Sequence, residues 1–266
     1  MTPHRGARTR ALAVLAATLA GLAGCSTGPA GGGDPAPDRI GGELVVFAAA
    51  SLTESFTQIA EDFEAANQGV TVTFNFAGSS TLAQQVNQGA PADVFAAANP
   101  PSMALVTEAG NADGAATTFA RNQLVIAVAA GNPAGITGLA DLTDPALKVA
   151  LCAEQVPCGA ASRTALDTAG VALTPVTFEQ DVRAALSKVT LGEVDAALVY
   201  QTDVAVAAPD VAGIEFPESA NAVNDYLIVA LREAPNPATA AAFVEHVGSS
   251  DGQAVLASAG FLPASS

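Results

Sequence analysis

The sequence predicts an α/β protein of two lobes, each a doubly wound sheet flanked by helices, joined by crossover strands. Three observations carry that expectation. Short continuous apolar runs alternate with segments of helical period, the pattern of parallel strands buried on both faces and covered by helices. The alternation starts afresh after the polar junction Arg121-Asn122. Half of the 266 residues are apolar, yet only 5% are aromatic and none is Trp, so the core must be layered from Ala, Val and Leu.

The chain opens with Arg5, Arg8 and Arg10, followed by an apolar run from Ala11 to Gly24 that is short for a membrane span. Leu22-Ala23-Gly24-Cys25 closes the run and resembles the lipobox of bacterial lipoproteins, in which the signal is cut before a Cys that is then lipidated. Residues 1–24 are therefore expected to be a signal peptide and Cys25 a lipid anchor. Residues 25–42, rich in Gly, Pro and Ala, read as a flexible tether. Removing residues 1–24 takes away three arginines and no acid, which moves the formal charge from −16 to −19. Such a surface excludes nucleic acid as a partner, and any affinity for an anion must come from local dipoles rather than from the overall field.

Leu44-Val45-Val46-Phe47 reads as the first strand. Leu52, Phe56, Ile59, Ala60 and Phe63 then repeat at helical spacing, and Ser51 with Glu54 forms a capping-box pattern. Val70 to Phe76 is the next strand, Leu82 to Gln88 a helix, and Asp93 to Ala98 a third strand. After Arg121-Asn122 come a strand at Leu124 to Ala129, another at Lys148 to Cys152, and helices near Ala160 to Ala169 and from Glu179 to Val189. Strands at Ala196 to Tyr200 and Asp225 to Ala230, and helices at Pro237 to Val247 and Gly252 to Ser258, complete the order. Residues 43–121 with 224–266 are expected to form one lobe and residues 122–223 the other.

Two turns carry the chemistry. Phe47-Ala48-Ala49-Ala50-Ser51-Leu52-Thr53 and Phe76-Ala77-Gly78-Ser79-Ser80-Thr81-Leu82 each lie where a strand meets a helix, and neither holds a charged residue. Free backbone N–H groups, hydroxyls and the positive end of a helix dipole suit a fully deprotonated anion. Asp93 reads as structural, because a carboxylate facing a dianion would repel it. Arg163 and Arg183 read as surface residues. Cys152 and Cys158 read as a disulfide in an exported chain, with free thiols or a metal site as the alternatives.

These runs, with Gly89-Ala90-Pro91-Ala92-Asp93-Val94-Phe95, Val156-Pro157-Cys158-Gly159, Glu179 to Arg183 and Leu198-Val199-Tyr200-Gln201-Thr202-Asp203, resemble the periplasmic molybdate-binding protein family, the substrate receptors of molybdate ABC importers. The resemblance spans Glu43 to Leu262. It implies a two-lobed class II periplasmic-binding fold and an oxyanion, molybdate or tungstate, held between the lobes with no protein–metal bond and no cofactor. By position it implies Ser51 and Ser79 as hydroxyl donors, Cys158 and Val182 as backbone N–H donors, and Tyr200 as a phenolic donor. It further implies a monomeric, non-enzymatic receptor outside the membrane, with a permease and its ATPase as partners. The alternatives are a receptor for sulfate or another tetrahedral oxyanion, an iron(III) receptor, an adhesion or sensor module without ligand, and a serine hydrolase using Ser51 or Ser79. For the last, His246 is the one histidine outside the signal that could serve as base.

Overall fold

The structure, a computed structural model, describes residues 40–265. The expected signal peptide, the Cys25 lipidation site and the tether as far as residue 39 lie outside the described residues. In chain order the first elements are β1 (Gly42–Ala49), α1 (Thr53–Ala66), β2 (Val70–Ala77), α2 (Ser79–Asn87), β3 (Val94–Ala97), α3 (Pro100–Glu108) and β4 (Thr117–Asn122). Then come β5 (Leu124–Ala129), β6 (Val149–Cys152), α4 (Pro157–Ala169), β7 (Thr177–Glu179), α5 (Val182–Thr190), β8 (Ala196–Tyr200), α6 (Gln201–Ala207) and β9 (Val211–Ile214). The chain ends on β10 (Asn224–Ala230), α7 (Pro237–Gly248) and α8 (Ser250–Ser258).

Among the described residues the strands form two five-stranded sheets, ordered β2-β1-β3-β10-β4 and β7-β6-β8-β5-β9. In each, three parallel strands with helical crossovers are followed by a strand running the other way. β10 is antiparallel to β3 and β4, and β5 is antiparallel to β8 and β9. The sheets are thus mixed rather than wholly parallel. The reversed strands are those reached by crossing from the other lobe, so no right-handed βαβ connection dictates their direction.

The chain crosses between the sheets at Gln123, between β4 and β5, and again between β9 and β10. Polar side chains tie these crossings down. Asn122 Nδ2 donates to Thr202 Oγ1 at 2.8 Å, and Gln123 Nε2 donates to Ser219 Oγ at 2.6 Å. The few aromatic rings concentrate in one lobe, where Phe56 packs against Phe74, Phe119 and Phe243 with centroids 5.6–6.4 Å apart. Asp93 is fully buried and accepts from the Val45 and Asn236 N–H groups at 2.8 and 2.6 Å. It ties β1 to the start of α7, a structural role that accounts for its burial.

Several boundaries differ from those read off the sequence. β1 begins at Gly42, within the expected tether. α2 starts three residues earlier than expected, at Ser79. Glu179 ends β7 instead of opening a helix; Asp181 caps α5 by accepting from Ala184 N–H at 2.9 Å, so the helix starts at Val182. The capping box of Ser51 and Glu54 does not form. A 3-10 turn, Ala50–Leu52, enters α1 with no side-chain cap, and the Ser51 hydroxyl turns to Tyr226 instead.

Candidate oxyanion site

A cleft of about 210 Å³ of empty space lies between the two sheets' helices, lined by Ser51, Gly78, Ser79, Cys158, Val182 and Tyr200 among others. All five residues expected to touch an anion are on its walls, and no Lys or Arg is.

The local folding brings helix starts to the cleft walls. Ser51 sits in the 3-10 turn that leads into α1, and Ser79 is the first residue of α2. Pro157 and Cys158 open α4, Val182 opens α5, and Tyr200 is the N-cap of α6. Helix starts leave N–H groups without intrahelical partners and carry partial positive charge. Five such starts, from both lobes, therefore converge on one cleft. Pro157 costs no hydrogen bond at the first helical position and presets the backbone there. Gly159 follows because a side chain would collide with the Ala153 carbonyl. That close approach packs the first turn of α4 against the end of β6, where Cys152 and Cys158 are joined by a disulfide with Cα atoms 5.7 Å apart.

The hydroxyls are oriented by what they accept. Ser79 is fully buried and its Oγ accepts from Ala98 N–H at 3.0 Å, which leaves its proton free for another acceptor. Ser51 Oγ pairs with Tyr226 Oη at 2.8 Å. Tyr200 Oη accepts from Asn224 Nδ2 at 2.6 Å and also lies within hydrogen-bonding reach of the Tyr226 phenol. Burial pushes both phenols well above their ordinary range, with the neighbouring phenol and Asp203 adding to the rise at Tyr200. Both keep their protons at any physiological pH and remain donors.

Four groups behind the cleft were not legible as such in the sequence. Tyr226 and Asn224, both on β10, hold Ser51 and Tyr200. Asp203, 1% exposed, accepts from Tyr200 N–H at 3.1 Å and fixes the start of α6. Burial pushes its carboxyl up to about 7, against the pull of the Arg183 guanidinium. Arg183 is more than a surface residue. Its Nη1 lies 4.0 Å from Asp203 Oδ1, and its Nη2 pairs across the cleft with Glu54 on α1. Asp181 also lines the cleft, with Oδ1 engaged by Ala184 N–H; its preference for an N-cap was the signal that could have placed it. Arg163, by contrast, is exposed and pairs with Glu154 and Asp167.

His246 lies on α7 with its ring 5.4 Å from that of Phe63 and is not among the cleft residues. Among the described residues, no histidine lines the cleft beside either serine. Among the described residues there is no cluster of His, Cys, Asp or Glu able to hold a metal ion, and no helix is long and apolar enough to cross a membrane.

The family described as bacterial extracellular solute-binding protein matches residues 44–262. Molybdate-binding protein ModA of Mycobacterium bovis is 46% identical over 93% of this chain and 95% of its own length. ModA of Escherichia coli is 34% identical, over 77% of this chain and 83% of its own. The Azotobacter vinelandii periplasmic molybdate-binding protein superposes with a TM-score of 0.71 at 21% identity, covering 82% of this chain and 98% of that one. The sulfate-binding protein SubI of Mycobacterium tuberculosis also superposes with a TM-score of 0.71, at 19% identity over 83% of this chain and 86% of its own. At these identities the two superpositions speak for the fold alone.

Proposed function

We infer function from kinship and geometry together: the chain belongs to the bacterial extracellular solute-binding protein family, and within it to the molybdate-binding receptors. It captures molybdate outside the membrane and delivers it to an ABC importer. The observation that carries the reading is the convergence of five helix starts and three hydroxyl groups on one small cleft lined by no cation. Neutral donors suit a proton-free dianion, because every one of its oxygens accepts. In this account Ser51 and Ser79 donate from one lobe, and the Cys158 amide, the Val182 amide and Tyr200 from the other. A dianion that touches both sets binds the closed form better than the open form, and that difference drives closure.

Tungstate, a dianion of the same shape, is a second cargo. Sulfate is proton-free but smaller, and would be under-contacted by a cleft spaced for molybdate. Phosphate carries a proton at neutral pH and needs an acceptor. Asp181 is the one carboxylate on the wall, and its engagement in capping α5 leaves it poorly placed to serve. The receptor is a monomer anchored through a lipid on Cys25, with a permease and its ATPase as partners. Cys25→Ser is expected to release it from membranes or leave it unprocessed.

A thermal-shift panel with molybdate, tungstate, sulfate and phosphate tests the reading. A ligand present at 100 times its Kd stabilises by about 2.7 kcal/mol. The two larger dianions should therefore raise the midpoint at concentrations where sulfate and phosphate do not. A larger shift with phosphate would assign the site to a protonated oxyanion through Asp181.

A further inference from the structure

Closure needs a stop as well as a drive, because the gap left between the lobes decides whether one ion reaches both sets of donors. We propose that Gly78 is that stop: its bare Cα on the first lobe meets the main chain of Gln180 on the second, and this contact sets the closed separation. The inference rests on the oxyanion reading above and makes Gly78 a positioning residue for it.

Gly78 precedes α2 with φ −60° and ψ 131°, a conformation open to any residue. The turn itself does not require glycine. The packing does, since a methyl group at Gly78 would collide with the Gln180 carbonyl oxygen and stand 3.1 Å from Val156 Cγ1. Both neighbours belong to the second lobe, on the segments that lead into α5 and α4. The principal contact is backbone against backbone, so it cannot be relieved by a change of rotamer.

The stop also lies beside the groups it would position. Ser79 follows Gly78 directly, Val182 is two residues beyond Gln180, and Cys158 is two beyond Val156. Any change in the gap at Gly78 is therefore passed to donors on both lobes. The pair between Arg183 and Glu54 spans the same rim. It joins two partly exposed, flexible side chains, which can hold the lobes together but cannot gauge their distance.

The test compares full-length wild type with Gly78→Ala, and with Gln180→Ala as a companion that keeps the carbonyl. The added methyl needs about 1 Å more room, more than a hydrogen bond across the cleft tolerates. Molybdate affinity by calorimetry is expected to fall about 30-fold or more in Gly78→Ala. Gln180→Ala should stay within about twofold of wild type, inside the usual scatter of surface changes. The midpoint of ligand-free Gly78→Ala should match wild type, because the two segments part when the lobes open.

Unchanged affinity in Gly78→Ala overturns the proposal, as does an equal loss in Gln180→Ala. A lowered ligand-free midpoint overturns it too, since the contact would then belong to folding and not to closure. Should wild type bind none of the oxyanions, the functional reading fails, and the stop is judged by the shortest separation reached between spin labels on the two lobes of the ligand-free proteins. A longer minimum in Gly78→Ala than in wild type upholds the contact; equal minima overturn it.

Discussion

Replacing Ser79 with Ala separates the structural and ligand-binding roles of one hydroxyl. The Ser79 side chain is fully buried, its Oγ accepts from Ala98 N–H at 3.0 Å, and it lines the cleft. Alanine leaves the Ala98 N–H without that acceptor, which costs about 1–3 kcal/mol of stability. For a domain of this size that is a fall of about 2–4 °C in midpoint per kcal/mol. The loss applies to the ligand-free and the bound protein alike, so it cancels from the binding equilibrium. Separately, alanine removes an O–H donor to a dianion, and a hydrogen bond to a charged group contributes about 1.5–3 kcal/mol. Molybdate binding should therefore weaken by about 10- to 150-fold. Calorimetric titration reads the second effect and thermal unfolding of the ligand-free protein reads the first. Ser51→Ala should show a similar loss of affinity while freeing Tyr226 from its 2.8 Å partner. A Ser79→Ala protein that melts several degrees lower yet binds molybdate as tightly as wild type would refute the reasoning, leaving Ser79 as a brace for Ala98.

Tyr200→Phe deletes one donor but keeps the ring; it should weaken molybdate binding by less than either serine change if water replaces the phenol, and a calorimetric loss above that of Ser79→Ala would contradict this ordering. Opening the Cys152–Cys158 bridge should lower affinity at least tenfold, because it braces the first turn of α4, while stability falls by roughly the 2 kcal/mol expected for so short a loop. Equal affinity of the oxidised and reduced proteins would limit the bridge to a stabilising role. Asp203 has its folded pKa raised to about 7 from an ordinary 3.8. The folded state therefore binds the proton more tightly than the unfolded chain, and this group's contribution to stability declines as pH rises from about 4 to 7 and levels off above. Asp203→Asn, which keeps an oxygen for the Tyr200 N–H, should flatten the stability profile in that window by on the order of 2–4 kcal/mol; an unchanged slope in denaturant titrations would remove Asp203 from the account.

Where a local rule governed, the sequence was readable. The apolar runs of β1, β5 and β8 marked strands buried on both faces, and the uncharged serine turns marked the places where helix starts meet the cleft. What escaped depended on long-range packing. β4 reads Thr-Thr-Phe-Ala-Arg-Asn, four of its six residues polar, because it borders the crossing between lobes and lies at the edge of its sheet, paired with β10 and bridged at Arg121 to Leu262. Ser51 and Glu54 satisfy the local pattern of a capping box, but a partner 175 residues away, Tyr226, takes the hydroxyl. Asp203 looks like an ordinary polar residue after a strand, and nothing local announces that the Tyr200 N–H and Arg183 meet it in the interior. Glu179 fitted the helical run that follows it, yet the pairing of β7 with β6 and the cap at Asp181 set the boundary.

The most direct test of the account counts metal. Purified full-length protein would be dialysed to equilibrium against molybdate, alone and with a 100-fold excess of sulfate or of phosphate, and the molybdenum retained per chain measured by mass spectrometry. The account predicts one molybdenum per chain, held against both competitors and displaced by tungstate. Protein that retains no molybdenum, or that gives it up to sulfate or phosphate, would contradict it.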